Sequence, residues 1–482
     1  MRGFSTTPLL PVAICLMSGI VVGSGWQPPF PSLFLLPVTI IATLASGRWP
    51  VVQSLAIYCC FMVLGMTLIQ LRHEDEADLW NQELEAVVMS EPMERPKTIG
   101  VDLLVPCAEG RTIRCYLWKN ERSRALKLGD ELVVRLEESS TSRNHHEGAT
   151  HTMMYFLHNK NWDVGGSALS QLSRWQRSRR WFLQQRHKLL KRYQGFQLED
   201  DAYAVVAAMT LGDKSAQTRE LREVFAISGS SHILAISGLH VGIVYMLLTW
   251  FMLGRRRFWL SQVVTVSAIW AFALLTGLSP SVTRAATMIS IYALFAERGG
   301  RKSPINVLCF TVIVMLVADA QMLFDISFQL SFSAIFAILT FLPLLQNMYQ
   351  PENAILRWGW SLTLLSLCAQ LGVAPLIAYY FGRFSTYFLL TNFLVVPAAT
   401  VILYGALVAL LFPPASVVLL WAVKTMNGAL RFIAALPGAS IDGLHPTPVQ
   451  VALTYAFLVI CYLMLRKFCH YQDTFMAKSF AH

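Results

Sequence analysis

Apolar and polar positions are segregated along this chain. Apolar runs near the ~20 residues that a helix needs to cross a hydrocarbon core fill both ends, and a polar block lies between them. Three spans are expected first, at Leu9–Val22, Phe30–Ala45 and Val51–Leu71. Nine follow, at His232–Leu253, Phe258–Leu278, Ser281–Glu297, Pro304–Asp319, Asp325–Leu345, Gly359–Phe381, Thr386–Phe412, Ser416–Leu436 and Thr447–Leu465. Between Leu84 and Gly166 the pattern shifts to short β-rich stretches at Ala86–Val88, Val101–Val105, Thr112–Trp118 and Leu132–Leu136. Glu109–Gly110 and Gly129–Asp130 supply turn signals there. The predicted fold class is a polytopic α-helical membrane protein of about 12 spans, with one inserted small β-barrel (OB-like) extracytoplasmic domain. The expected domains are N-terminal transmembrane helices (1–71), the β domain (72–170), a basic amphipathic or interfacial helical segment (171–231), a transmembrane channel domain (232–467) and a cytoplasmic tail (468–482).

Composition sharpens this picture. The 482 residues are 55% hydrophobic and only 14% charged, against about 25% charged in soluble domains, which excludes a single soluble enzyme and a disordered chain. The net charge is +10. From Arg72 to Glu223 the chain holds 23 basic and 23 acidic residues, and beyond Ser231 only six acids remain. One alternating set of short loops carries Arg255, Arg256, Arg257, Arg298, Arg301, Lys302, Arg357, Arg466 and Lys467, and the other carries Arg383. The positive-inside rule therefore puts the first set in the cytoplasm and the 72–231 block outside. The first apolar run lacks the charged leader of a signal peptide, since Arg2 stands alone and two more spans follow.

Candidate chemistry is sparse. Arg174, Arg177, Arg179, Arg180, Arg186, Lys188, Lys191 and Arg192 share a predicted helix with Trp175, Trp181 and Phe182 and no acid. Such a helix fits anionic lipid, or a polyanion whose bases stack on the aromatics. Cys107 and Cys115 flank the Glu109–Gly110 turn and are compatible with a local disulfide if the compartment is oxidising, though their spacing does not fix the geometry. His145, His146 and His151 have no metal-ligand spacing and read as a solvated loop. At membrane depth, where polar groups are costly, the densest cluster is Ser228–Gly242, with Ser237, Gly238 and His240 beside small residues that permit close packing or a broken helix. Arg284 and Asp325 lie at similar depth on different spans, and an ion pair between them would act in the path or simply lock the bundle.

These runs carry a resemblance. Leu211–Gly212–Asp213–Lys214, His232–Gly242, Gly277–Ala286, Phe328–Phe332, Ala369–Pro375 with Phe381–Ser385, and Asn392–Pro397 follow one another in the order seen in the ComEC family of inner-membrane DNA-uptake channels, which the chain resembles over nearly its whole length. The resemblance implies a channel that moves single-stranded DNA across the cytoplasmic membrane during natural transformation. In that role Gln329, Gln370 and Asn392 would line the path with the residues above, and Arg174, Arg177, Arg179, Arg180 and Trp181 would receive DNA outside. Implied partners are single-stranded DNA, membrane lipid, a periplasmic DNA-binding receptor, a cytoplasmic helicase or translocase and a separate nuclease, and a homodimer is compatible. Many family members carry a metallo-β-lactamase-like domain; this sequence has no H-x-H-x-D-H run, so no enzyme, metal or cofactor is expected here. No Walker-type phosphate loop occurs either, so energy is expected from a partner. The rival readings are a transporter of another solute, a membrane scaffold with a partner-binding β domain, and a membrane hydrolase built on His232 and His240.

Overall fold

The computed structural model describes residues 7–25, 32–74, 83–90, 92–94, 97–106, 111–135, 154–157, 162–196, 198–252, 258–295 and 303–479. Outside these lie Cys107, the Glu109–Gly110 turn, the histidines of 145–151 and the basic loops at 255–257 and 298–302. The protein is mostly helical. Among the described residues, six helices are long and apolar enough to cross a membrane, at Pro50–Leu71, Ile326–Met348, Ala354–Phe381, Phe388–Leu411, Pro413–Ala435 and Pro448–Phe468, and shorter apolar helices accompany them. Each apolar run picked out in the sequence coincides with a helix. The Phe30–Ala45 run shortens to an α-helix over Leu35–Ala45, and the His232 run begins its helix only at Gly238.

The chain forms two compact units. The first comprises residues 1–189, 266–278 and 287–326. In it α1 (Leu9–Gly25), α2 (Leu35–Ala45) and α3 (Pro50–Glu74) pack together. The α1–α3 crossing is close because glycines face each other. A Cβ on Gly65 would stand 2.4 Å from the Leu16 carbonyl oxygen, and one on Gly19 would stand 2.0 Å from that of Met62. Small residues are how apolar helices gain contact when lipid is as apolar as they are.

Among the described residues the β-rich part of this unit has seven strands: β1 (Glu83–Val88), β2 (Met93–Glu94), β3 (Thr98–Val105), β4 (Arg111–Trp118), β5 (Glu131–Arg135), β6 (Met154–Leu157) and β7 (Trp162–Val164). Their order is β6-β4-β3-β1-β5-β7, with β2 paired to β3, and the β4–β6 pair is parallel. Among the described residues no ladder joins the two ends of this order. A short helix, α4 (Glu121–Arg124), is capped reciprocally by Asn120 and Ser123. One face of the sheet buries Leu84, Val101, Leu103, Cys115, Leu117, Leu132 and Trp162. The other packs Val87, Met89 and Leu104 on Leu172 and on Leu183 of α5 (Arg174–Gln194).

Of the expected Cys107–Cys115 pair, only Cys115 falls within the described residues. Cys115 pairs in register with Val101 in mid-strand, is fully buried in the sheet core and is a free thiol. Burial raises its pKa far above the ordinary thiol range.

The second unit comprises residues 190–265, 279–286 and 327–482. It contains α6 (Asp200–Leu211), α7 (Arg219–Ile227), α8 (Gly238–Met252), α12 (Ile326–Met348), α13 (Ala354–Phe381), α14 (Phe388–Leu411), α15 (Ser416–Ala435) and α16 (Pro448–Ser479), with a two-stranded ribbon of β8 (Arg383–Ser385) and β9 (Ser440–Asp442). The chain passes between the units within α9 (Phe258–Leu275) and α10 (Pro280–Phe295), while α11 (Pro304–Ala318) belongs to the first. The expected 171–231 segment is therefore divided at Leu190. The reason lies in α6, which is apolar around its circumference after Asp201. Ala202 and Ala204–Leu211 are all buried against α14 and α15, where a helix with no polar face must go.

Candidate functional site

Two polar sites emerge, one in each unit. In the first unit, α5 presents one face to the sheet and one to solvent. Leu183 is buried, as are Leu190 and Tyr193 in the second unit. Arg179 donates from Nη1 to the Thr112 hydroxyl at 3.1 Å. The Arg180 guanidinium lies 3.0 Å from where a Cβ on Gly129 would be, so it covers that turn. Burial lowers the Arg179 pKa, partly offset by Asp102. Two of the five outer cation and aromatic candidates thus serve the fold. Arg174, Arg177 and Trp181 stay exposed, and Trp181 stacks edge-on with Phe182 at 5.0 Å. Arg177 also donates Nε to the Leu172 carbonyl at 2.9 Å. Helical spacing aligns Arg174, Arg177, Trp181 and Lys188 on one exposed stripe of the first unit with no acid. The five residues expected to receive DNA do not include Lys188; the 3.6-residue period is the signal that finds it.

In the second unit the chain turns repeatedly before α8. Gly212, left-handed at φ 73°, ends α6, and Asp213 accepts from the Ser215 amide and hydroxyl at 3.2 and 2.7 Å. Leu211–Lys214 is therefore a helix-ending turn. Thr218 caps α7, accepting from the Leu221 amide at 3.1 Å. Gly229, at φ 80°, approaches β8 so closely that a Cβ there would meet Ser385 at 2.8 Å. Ser228 and Ser230 are buried with their hydroxyls 2.9 Å apart.

Ser237 caps α8, and His240 reaches back from the third helical position. The Ser237 amide donates to His240 Nδ1 at 3.2 Å, and the Ser237 hydroxyl lies 3.0 Å from the same atom. This is the return half of a capping box, with imidazole in the place usually taken by Glu or Gln. Because Nδ1 accepts, the proton of the neutral ring sits on Nε2, which is buried without a hydrogen-bond partner among the described residues. His240 has a structural task and a spare donor. Gly238 packs toward Ala285 of α10, a Cβ on it standing 3.8 Å from the alanine methyl.

Arg284 is 3% exposed and donates to the hydroxyls of Ser327 at 3.2 Å and Ser281 at 3.0 Å. Asp325 precedes α12 and is half-buried. Gln329 accepts from the Tyr380 hydroxyl at 2.7 Å, while Tyr455 of α16 donates to the Gly372 carbonyl at 2.7 Å. These bonds tie α12, α13 and α16 together through Tyr380 and Tyr455, two polar groups that no sequence motif marks. Gln370 and Asn392 are half-buried on α13 and α14. At the ribbon, Arg383 bonds Asp442 at 2.5 Å and Glu223 at 2.9 Å. Partial burial opposes its charge, but the two carboxylates more than offset this and raise its pKa.

Comparison with known proteins places these sites in context. The family described as "Competence protein" matches residues 209–468, just over half of the chain. ComE operon protein 3 of Bacillus subtilis is 31% identical over 281 residues, which is 56% of this chain and 35% of the relative. Competence protein ComA of Neisseria gonorrhoeae is 26% identical over 35% of this chain and 25% of its own length. Recombination protein 2 of Haemophilus influenzae is 28% identical over 40% of this chain and 26% of its own length. The chain thus spans about a third or less of these three relatives. No solved structure matches it.

Proposed function

The chain belongs to the competence protein family, and on that premise we propose that it conducts single-stranded DNA across the cytoplasmic (inner) membrane during natural transformation. The observation that carries this reading is the exposed stripe of Arg174, Arg177, Trp181 and Lys188, which mounts cations and an aromatic on the β-rich unit without one acid. A single strand is held by charge on its phosphates and stacking on its bases. The stripe supplies both.

In this reading the helices cross the membrane about twelve times, with the loops rich in Arg and Lys inside and the 72–231 block outside. The strand order, ending in the parallel β4–β6 pair, supports an OB-like outer domain. The path then runs by Ser237, Gly238 and His240, past Arg284 and Gln329, and by Gln370 and Asn392. The chain itself breaks no bond: a periplasmic DNA-binding receptor delivers DNA, a separate nuclease removes the second strand, and a cytoplasmic helicase or translocase pulls. The channel works within lipid as one chain or as a symmetric pair.

The test is a deletion strain given labelled duplex DNA, with surface-protected and cytoplasmic label counted separately. Protected label outside with none inside supports the channel. Undiminished cytoplasmic label in the deletion strain overturns it.

A further inference from the structure

Between residues 358 and 465 the sequence has three Lys or Arg residues, Arg383, Lys424 and Arg431, and one acid, Asp442. Such a stretch has cations without local partners. The fold brings acids to them from elsewhere in the second unit. Lys424 Nζ lies 2.5 Å from Glu199, just before α6. Arg431 lies 2.6 Å from Asp201 on α6 and 3.8 Å from Glu220 on α7. Arg383 holds Glu223 on α7 together with Asp442. Every cation of this stretch is met by a carboxylate from residues 199–223.

The exposure of these groups sets what the pairs do. Lys424 and Arg431, seven residues apart on one face of α15, are 48% and 50% exposed, and Glu199 is 66% exposed. Exposed pairs contribute little to stability because water and salt screen them. The hold of α6 and α7 comes instead from buried apolar residues, Ala204–Leu211 on α6 and Leu221 and Phe225 on α7. The carboxylates can therefore rotate away while both helices stay seated. Lys424 also sits mid-way along α15, a helix apolar enough to span a membrane. A charged pair there facing hydrocarbon is strongly disfavoured, so this face of α15 borders water.

We propose that Lys424, Arg431 and Arg383 form a phosphodiester-binding track that the acids of residues 199–223 mask, and that an incoming single strand unmasks by exchanging its phosphates for the carboxylates. The proposal rests on the DNA-channel reading and adds its regulation. A masked track resolves how a path with few cations binds a polyanion: every cation is covered by carboxylate at rest, and each interaction is weak enough for the strand to keep moving.

The experiment uses the full chain in nanodiscs of neutral lipid, with binding of a fluorescent oligothymidylate followed by anisotropy over a salt series. Glu199→Gln alone, and the pair Glu199→Gln with Asp201→Asn, are expected to tighten binding about twofold to tenfold, the range that one or two exposed pairs represent. Glu352→Gln, an exposed acid in the same unit, controls for net charge. Adding Lys424→Gln and Arg431→Gln is expected to abolish the gain. Binding no tighter than the Glu352→Gln control overturns the proposal, as does a gain that survives loss of both cations. A wild-type chain that binds no oligothymidylate at low salt sinks the channel reading as well; one that binds, with acid variants unchanged, sinks only the masking.

Discussion

His240 offers the sharpest test of how the most polar turn of the second unit is built. Its Nδ1 receives the Ser237 amide at 3.2 Å and lies 3.0 Å from the Ser237 hydroxyl, so two groups at the start of α8 depend on one ring atom. His240→Ala removes that acceptor and leaves the amide without its partner, a change worth about 1–3 kcal/mol, with the ring volume lost in addition. In a unit of this size each kcal/mol shifts the midpoint by about 2–4 °C. His240→Gln keeps an acceptor that reaches the cap from the same helical position, and is expected to cost less than about 1 kcal/mol. Thermal unfolding of the detergent-purified chain should therefore rank wild type and Gln together, with Ala lower by several degrees. A Gln variant as unstable as Ala would refute the capping argument. DNA uptake by the Gln variant then isolates the other ring nitrogen: a well-folded channel that no longer passes DNA assigns a transport role to the Nε2 donor, and full uptake confines His240 to the cap.

Three further outcomes are expected. Gly65→Val forces a branched side chain into a space where even a Cβ comes within 2.4 Å of the Leu16 carbonyl, so α1 and α3 must separate and the midpoint should fall by the equivalent of about 1–3 kcal/mol; Gly242→Ala, with nothing within 4 Å, is the matched control in the same melt. Arg174→Gln with Lys188→Gln should lower the salt slope of oligothymidylate binding by up to about 0.7 for each phosphate no longer neutralised and leave stability unchanged, whereas Arg179→Gln, which removes the Thr112 bond, should lower the midpoint. Cys115 supplies a pH dependence. Its folded pKa is raised by burial, so its contribution is fully present below the unfolded thiol value of about 8.5 and is lost as pH rises above it, because the unfolded thiol ionises while the folded one stays protonated. Unfolding of the β-rich unit followed between about pH 8 and 10.5, a range that brackets the unfolded thiol, should show that decline, and Cys115→Val should flatten it; equal slopes for the two proteins would count against the assignment.

The sequence by itself determined the positions of the apolar helices, the β-rich insert and the long basic helix, since each follows from a local period or run length that needs no distant partner. It also carried the family, through short motifs kept in order. Tertiary structure decided what those motifs do. Arg179 and Arg180 read like their neighbours along α5, yet the angle at which the helix meets the sheet turns them to Thr112 and Gly129 and leaves Arg174 and Arg177 outside. His240 reads as a lone polar group in an apolar run, and only the backbone turn at Ser237 makes it a cap. Cys115 reads as half of a disulfide, and only the β3–β4 register buries it opposite Val101. Lys424 and Arg431 lack partners in their own stretch of sequence because Glu199, Asp201 and Glu220 lie far upstream in the chain. Electrostatic and hydrogen-bond partners depend on separation in space, and chain distance says little about that. Apolar runs need only water or lipid to define their inside and outside, and so they are legible in one dimension.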